Sequence, residues 1–61
     1  MDELTEQYDL EIHCSDGNGR SYKYQVDCGN IQEVTRVLIT FKPKRNYHII
    51  EVFCSLVNRL I

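Results

Sequence analysis

Two alternating runs flank the tetrapeptide Asp16-Gly17-Asn18-Gly19, and no other feature restricts the fold as much. Before it, Tyr8, Leu10, Ile12 and Cys14 alternate with Asp9, Glu11 and His13; after it, Tyr22, Tyr24 and Val26 alternate with Ser21, Lys23 and Gln25. A period of two matches the alternation of side chains across a strand, so each run reads as a half-buried strand, over Gln7 to Ser15 and Arg20 to Val26. The segment between them holds an Asn-Gly step and two glycines, the residues that reach positive φ at least cost. The three pieces together predict a β-hairpin.

The next segment changes period. After Cys28-Gly29, Asn30 is suited to cap a helix, with Glu33 three residues later in the capping-box position. Ile31, Val34, Val37, Leu38 and Phe41 then recur at helical spacing. Six β-branched residues (Ile31, Val34, Thr35, Val37, Ile39, Thr40) work against a helix by restricting χ1, but the cap and the period favour it. Pro43 ends it in the loop Lys42-Pro43-Lys44-Arg45-Asn46. The last segment, Tyr47 to Ile61, fits either period. Ile50, Val52, Cys54, Leu56 and Leu60 would share one strand face, whereas Ile49, Phe53, Leu56 and Leu60 would share a helical one. A two-stranded hairpin is marginal alone, so a third strand is expected here. The expected fold is α+β, a ββαβ chain with a three-stranded antiparallel sheet and one helix, in a single domain spanning residues 1–61. Residues 1–6 carry no pattern and are the candidate disordered segment.

Length makes this fold incomplete. A chain of 61 residues buries only about 60% of the surface it exposes when unfolded. Small folds usually add a disulfide, a metal or a partner subunit. The cysteines, Cys14, Cys28 and Cys54, are odd in number and far apart in sequence, so they are expected to be reduced. Self-association is then the expected way to finish the core. The acidic start Met1-Asp2-Glu3 and the lack of a long apolar run argue against a signal peptide and a membrane span.

Charge is split along the chain. Residues 1–33 carry eight acids and two bases, a net of −6; residues 34–61 carry one acid and five bases, a net of +4. The acidic half could face a basic protein. Lys42, Lys44 and Arg45 could meet phosphates, but three cations in an acidic domain form a small footprint. A solvated loop beside a helix C-terminus is the simpler account of them. Chemistry-bearing constellations are weak. His13, His48 and the three cysteines lack any zinc-knuckle spacing. His13 and Cys14 are adjacent on a strand and so point to opposite faces. The glycine turn lacks the helix and the lysine of a phosphate loop. No catalytic residue, cofactor or metal site is expected, and an enzyme is the least favoured class.

Tyr8-Asp9, Asp16, Gly19 and Tyr22 form the pattern Y-D-x6-D-x2-G-x2-Y. This resembles the hairpin of the small uracil-DNA glycosylase inhibitors of protein-primed Bacillus phages, a family of similar length with the order hairpin, short helix, final strand. An Ile-Ile pair in the family's final strand is matched by Ile49-Ile50. The resemblance implies a strand for the last segment. It also implies a non-enzymatic homodimer that binds the host glycosylase on its DNA-binding face, in the cytoplasm of an infected bacterium. Carboxylates would replace DNA phosphates there, and a groove between the two helices would receive an apolar side chain of the enzyme. The partners implied are the glycosylase and a second copy, with no membrane and no direct nucleic acid.

Carried over by position, Val34 stands where the family has an aromatic, Leu38 near a family tyrosine and Glu33 near a family aspartate. Thr35 stands where the family has a glutamate, with Arg36 beside it, and the following loop is longer and basic. The carboxylates left to contact the enzyme are Asp27 and Glu33, with Asp2, Glu3 and Glu6 as further acids. The expected partner surface is Asp27, Glu33, Val34, Val37 and Leu38, and the expected dimer surface or groove is Ile31, Val34, Leu38 and Phe41. Plain core packing is the competing account of the apolar ones. Two other functions stay open: a generic dimeric interaction module with an unrelated partner, and a weak nucleic-acid binder using Lys42, Lys44 and Arg45.

Overall fold

A computed structural model describes the backbone of residues 4–60 and the side chains of residues 7–57. Strand β1 (Leu4–Ser15) and strand β2 (Ser21–Cys28) form the predicted hairpin, helix α1 (Ile31–Thr40) follows, and strand β3 (His48–Leu60) closes the chain. The sheet order is β2-β1-β3, with β1 antiparallel to both neighbours. The fold is the expected α+β arrangement of one helix and a three-stranded antiparallel sheet. Of the N-terminal stretch expected to be loose, residues 1–3 lie outside the described residues, whereas Leu4–Glu6 extend β1 and pair with Asn58–Leu60.

The turn is wider than a two-residue hairpin. Ser15 pairs with Ser21, and residues 16–20 loop between them. Asp16 organises the loop: its Oδ1 accepts from the backbone N–H groups of Asn18 at 2.7 Å and Arg20 at 3.1 Å. The positive φ angles fall on Gly17 (78°) and Gly19 (93°), not on Asn18. A side chain at either position would be strained by the backbone itself.

The helix starts as its cap residues require. Asn30 is extended, and its side chain accepts from the Glu33 N–H at 2.9 Å. The Glu33 carboxylate reaches back one residue further than a standard capping box and accepts from the Gly29 N–H at 3.0 Å. Thr35 and Thr40 donate their hydroxyls to the carbonyls of Ile31 and Arg36, which satisfies these poor helix formers within the helix. Phe41 leaves the helix in an extended conformation while its N–H still bonds the Val37 carbonyl at 2.8 Å. The loop that follows is tied down by aromatic contacts. The Tyr22 hydroxyl accepts from the Lys44 N–H at 2.9 Å, the Lys44 ammonium sits 4.5 Å from the centre of the Tyr22 ring, and Tyr47 packs edge-on against that ring.

The core is small and one-sided. Leu10, Ile12 and Cys14 of β1, Cys28 of β2 and Val34 of α1 are buried, with Tyr8, Tyr22, Val26, Val37, Phe41 and Tyr47 packed around them. The helix lies over β1 and β2 and makes no contact with β3 among the described residues. The molecule is correspondingly open. It exposes 4922 Å², whereas a compact protein of its mass exposes about 4,100 Å². Its radius of gyration is 14.0 Å, against about 10.5 Å for a compact chain of this length.

The last strand departs from simple alternation. A register shift opposite His13 and Cys14 leaves Ile50 without a cross-strand partner. This β-bulge places Ile49 opposite Cys14, while Val52, Cys54 and Leu56 face the helix side opposite Ile12, Leu10 and Tyr8. The expected place of Ile50 on that face is therefore taken by Ile49.

Candidate functional site

The two faces of the sheet are unlike, and both leave large apolar side chains exposed. On the helix side, β1 and β2 are covered and β3 is not. Ile49 (43% exposed), Val52 (43%) and Leu56 (53%) line an apolar strip along β3, with the exposed thiol of Cys54 between the last two. Ile31, Leu38 and Ile39 are exposed on the helix. The sequence pattern identified these residues as apolar but could not show that one helix is too narrow to cover three strands.

The expected site residues divide accordingly. Ile31 and Leu38 are exposed and available to a partner. Val34 is only 4% exposed and lies inside the core, so it is no contact surface of the protomer. Val37 packs against the core, and Phe41 does so with its ring 5.1 Å from that of Tyr24. These three follow the core-packing alternative. The reason is the direction of the helix stripe: Val34, Val37 and Phe41 point down onto β1 and β2, while Ile31 and Leu38 lie to the side.

Glu33 and Asp27 sit near one end of the sheet, on different faces. Glu33 is exposed in the helix cap, and Asp27 projects from β2 on the side opposite the buried Cys28. Both act on that thiol. Burial raises the Cys28 pKa above its ordinary value, and the charges of Glu33, Cys54 and Asp27 add to the shift. The Tyr22 phenol is also raised, chiefly by desolvation, against the pull of the Lys44 N–H.

The helix-free face of the sheet is polar and mostly acidic. Among the described side chains, Asp9 and Glu11 of β1, Asp27 of β2 and Glu51 of β3 share it with one amine, Lys23. His13 Nε2 donates to Glu11 Oε1 at 3.1 Å, and the imidazole packs edge-on to Phe53 with ring centres 5.1 Å apart. Asp9, Glu11, Phe53 and Ser55 line an open cleft of about 320 Å³. Sequence reasoning missed this cleft. The available signal was Phe53, a large apolar residue whose strand parity sets it among polar ones.

The charges also separate along the molecule, which is 51 Å long. Arg20, Lys23, Lys42, Lys44 and Arg45 gather toward the hairpin-loop end, where they outnumber Asp16 and Glu51 and where Lys44 stacks on Tyr22. Asp9, Asp27 and Glu33 lie toward the other end, where Tyr8 pairs with Cys28. Among the described residues no group of three or more His, Cys, Asp or Glu could hold a metal ion, and no helix is long and apolar enough to cross a membrane. No protein-family model, curated protein or solved structure matches the chain.

Proposed function

We propose that the chain is a homodimeric, DNA-mimicking inhibitor of host uracil-DNA glycosylase, acting in the cytoplasm of an infected bacterium without catalysis of its own. The observation that carries the reading is the uncovered helix-side strip of β3, Ile49, Val52 and Leu56, at the free edge of a sheet only partly roofed by its helix. The surface in excess of a compact chain is about 800 Å², close to the share that each partner buries in a standard interface. A second copy is the occupant favoured by charge. Two β3 edges pairing antiparallel bring the basic end of one protomer beside the acidic end of the other. Such pairing also satisfies the row of backbone groups that a 13-residue edge strand leaves open.

The choice of enzyme rests on the hairpin pattern from Tyr8 to Tyr22. The acidic end supports it, because an enzyme face that holds phosphates is basic and attracts carboxylates. Asp27 and Glu33 supply negative charge there, and Ile31 and Leu38 supply exposed apolar side chains on the helix.

The test is a uracil-excision assay on duplex DNA with a bacterial uracil-DNA glycosylase. Near-stoichiometric inhibition that persists in excess uracil-free DNA is the expected result. Glu33→Gln combined with Asp27→Asn keeps the cap's hydrogen-bond acceptor and removes both charges, and it should weaken inhibition. No inhibition at a hundredfold excess of wild-type protein overturns the reading. It would leave a dimeric interaction module with another partner.

A further inference from the structure

We propose that the helix-free face of the sheet is a docking site for an arginine side chain of a basic protein surface, seated on Phe53 between Asp9 and Glu11. Only the identity of the partner rests on the glycosylase reading; the chemistry of the site stands on its own geometry. Phe53 is 47% exposed on a face that no element among the described residues covers, so its ring contributes little to the protomer's core. It forms one wall of the cleft that Asp9, Glu11 and Ser55 complete.

An aromatic face beside carboxylates suits a guanidinium. The planar cation stacks on the ring, and its N–H groups donate to carboxylate oxygens in fixed directions. His13 prepares the cleft from one side, since it contacts both the Phe53 ring and Glu11 Oε1. A carboxylate has two acceptor oxygens, so the bond from His13 leaves Glu11 with capacity for a further donor. The charge of the face selects the class of occupant. Among the described side chains of this face, four carboxylates (Asp9, Glu11, Asp27, Glu51) stand against one amine (Lys23), which repels phosphates and attracts a basic segment. This face lies opposite the β3 strip, so a dimer formed through that strip leaves it open to a second partner.

The experiment is an NMR titration of the isotope-labelled protein with hexa-arginine amide at low salt, in the wild type and in the Phe53→Leu and Glu11→Gln variants. The expected result is saturable shifts of the Asp9, Glu11, Phe53 and Ser55 amides. Binding should weaken about two- to fivefold in Phe53→Leu and about three- to tenfold in Glu11→Gln. Shifts centred elsewhere, or affinity that responds to Glu11→Gln but not to Phe53→Leu, overturn the proposal, because the face would then be only a charged surface. The excision assay on the same wild-type protein separates the two readings. Hexa-arginine bound at Phe53 without glycosylase inhibition sustains this site and removes that enzyme. Inhibition without a response at Phe53 removes the site and keeps the enzyme.

Discussion

Leu56→Lys is the sharpest probe of self-association. Leu56 is 53% exposed on β3, so a lysine there can extend into water without disturbing the protomer's core. Complete burial of a leucine side chain is worth about 1.5–3 kcal/mol, so burying the exposed half contributes about 0.8–1.6 kcal/mol per copy. A two-fold dimer counts the loss twice, about 2–3 kcal/mol, before any repulsion between the two introduced ammonium groups. That energy corresponds to a dissociation constant about thirty- to a hundred-and-fortyfold weaker. Sedimentation equilibrium over a concentration series measures it, and far-UV circular dichroism checks that the fold survives. Wild-type protein that stays monomeric at high micromolar concentration refutes the reasoning. So does a Leu56→Lys dimer as tight as the wild type, because the β3 strip would then lie outside the interface.

Thiol chemistry tests the same surface by another route. Cys54 is exposed while Cys14 and Cys28 are buried, so native protein at low concentration should react quickly at one thiol and denatured protein at three. Cys54 should become protected as concentration rises, and concentration-independent reactivity would argue against a dimer through β3. Replacing the helix cap, Asn30→Ala, removes the acceptor of the Glu33 N–H and should cost about 1 kcal/mol in urea unfolding, whereas Asn30→Ser should recover most of it. Alkaline pH should destabilise the fold. The Cys28 and Tyr22 pKa values are both raised in the folded state, so the unfolded chain releases these protons first. Stability is fully present below the ordinary thiol value of 9.0, begins to fall above it, and is lost as pH climbs through the raised folded values of Cys28 and then Tyr22. A urea midpoint that holds steady from pH 7 to 10 would contradict this.

Elements written in local chemistry were legible from the sequence. The alternation of Tyr8, Leu10, Ile12 and Cys14 against Asp9, Glu11 and His13 needs no partner to define its faces, and the structure buries Leu10, Ile12 and Cys14 with Tyr8 packed against them. Asn30 and Glu33 define the helix start through bonds within four residues, and Pro43 limits how far the helix can run. Positive φ in the hairpin loop was legible because glycines are the residues that reach it cheaply; which residues took it was not, since Asp16 recruits the loop amides and makes the turn longer.

What the tertiary structure decided was which apolar residues find a cover. Ile31, Val34, Val37, Leu38 and Phe41 all fit one helical stripe, but a helix presents only its downward side to a sheet. Val34 is buried and Leu38 stays exposed, and among the described residues α1 packs on β1 and β2 but not on β3. The bulge at Ile50 depends on register against His13 and Cys14, about 36 residues away, so no local pattern specifies it. The cleft of Asp9, Glu11, Phe53 and Ser55 likewise needs β1 and β3 side by side. Short-range hydrogen bonds and periodicity set the elements of this chain. The sideways placement of one helix on three strands set what it leaves exposed, and therefore what it can bind.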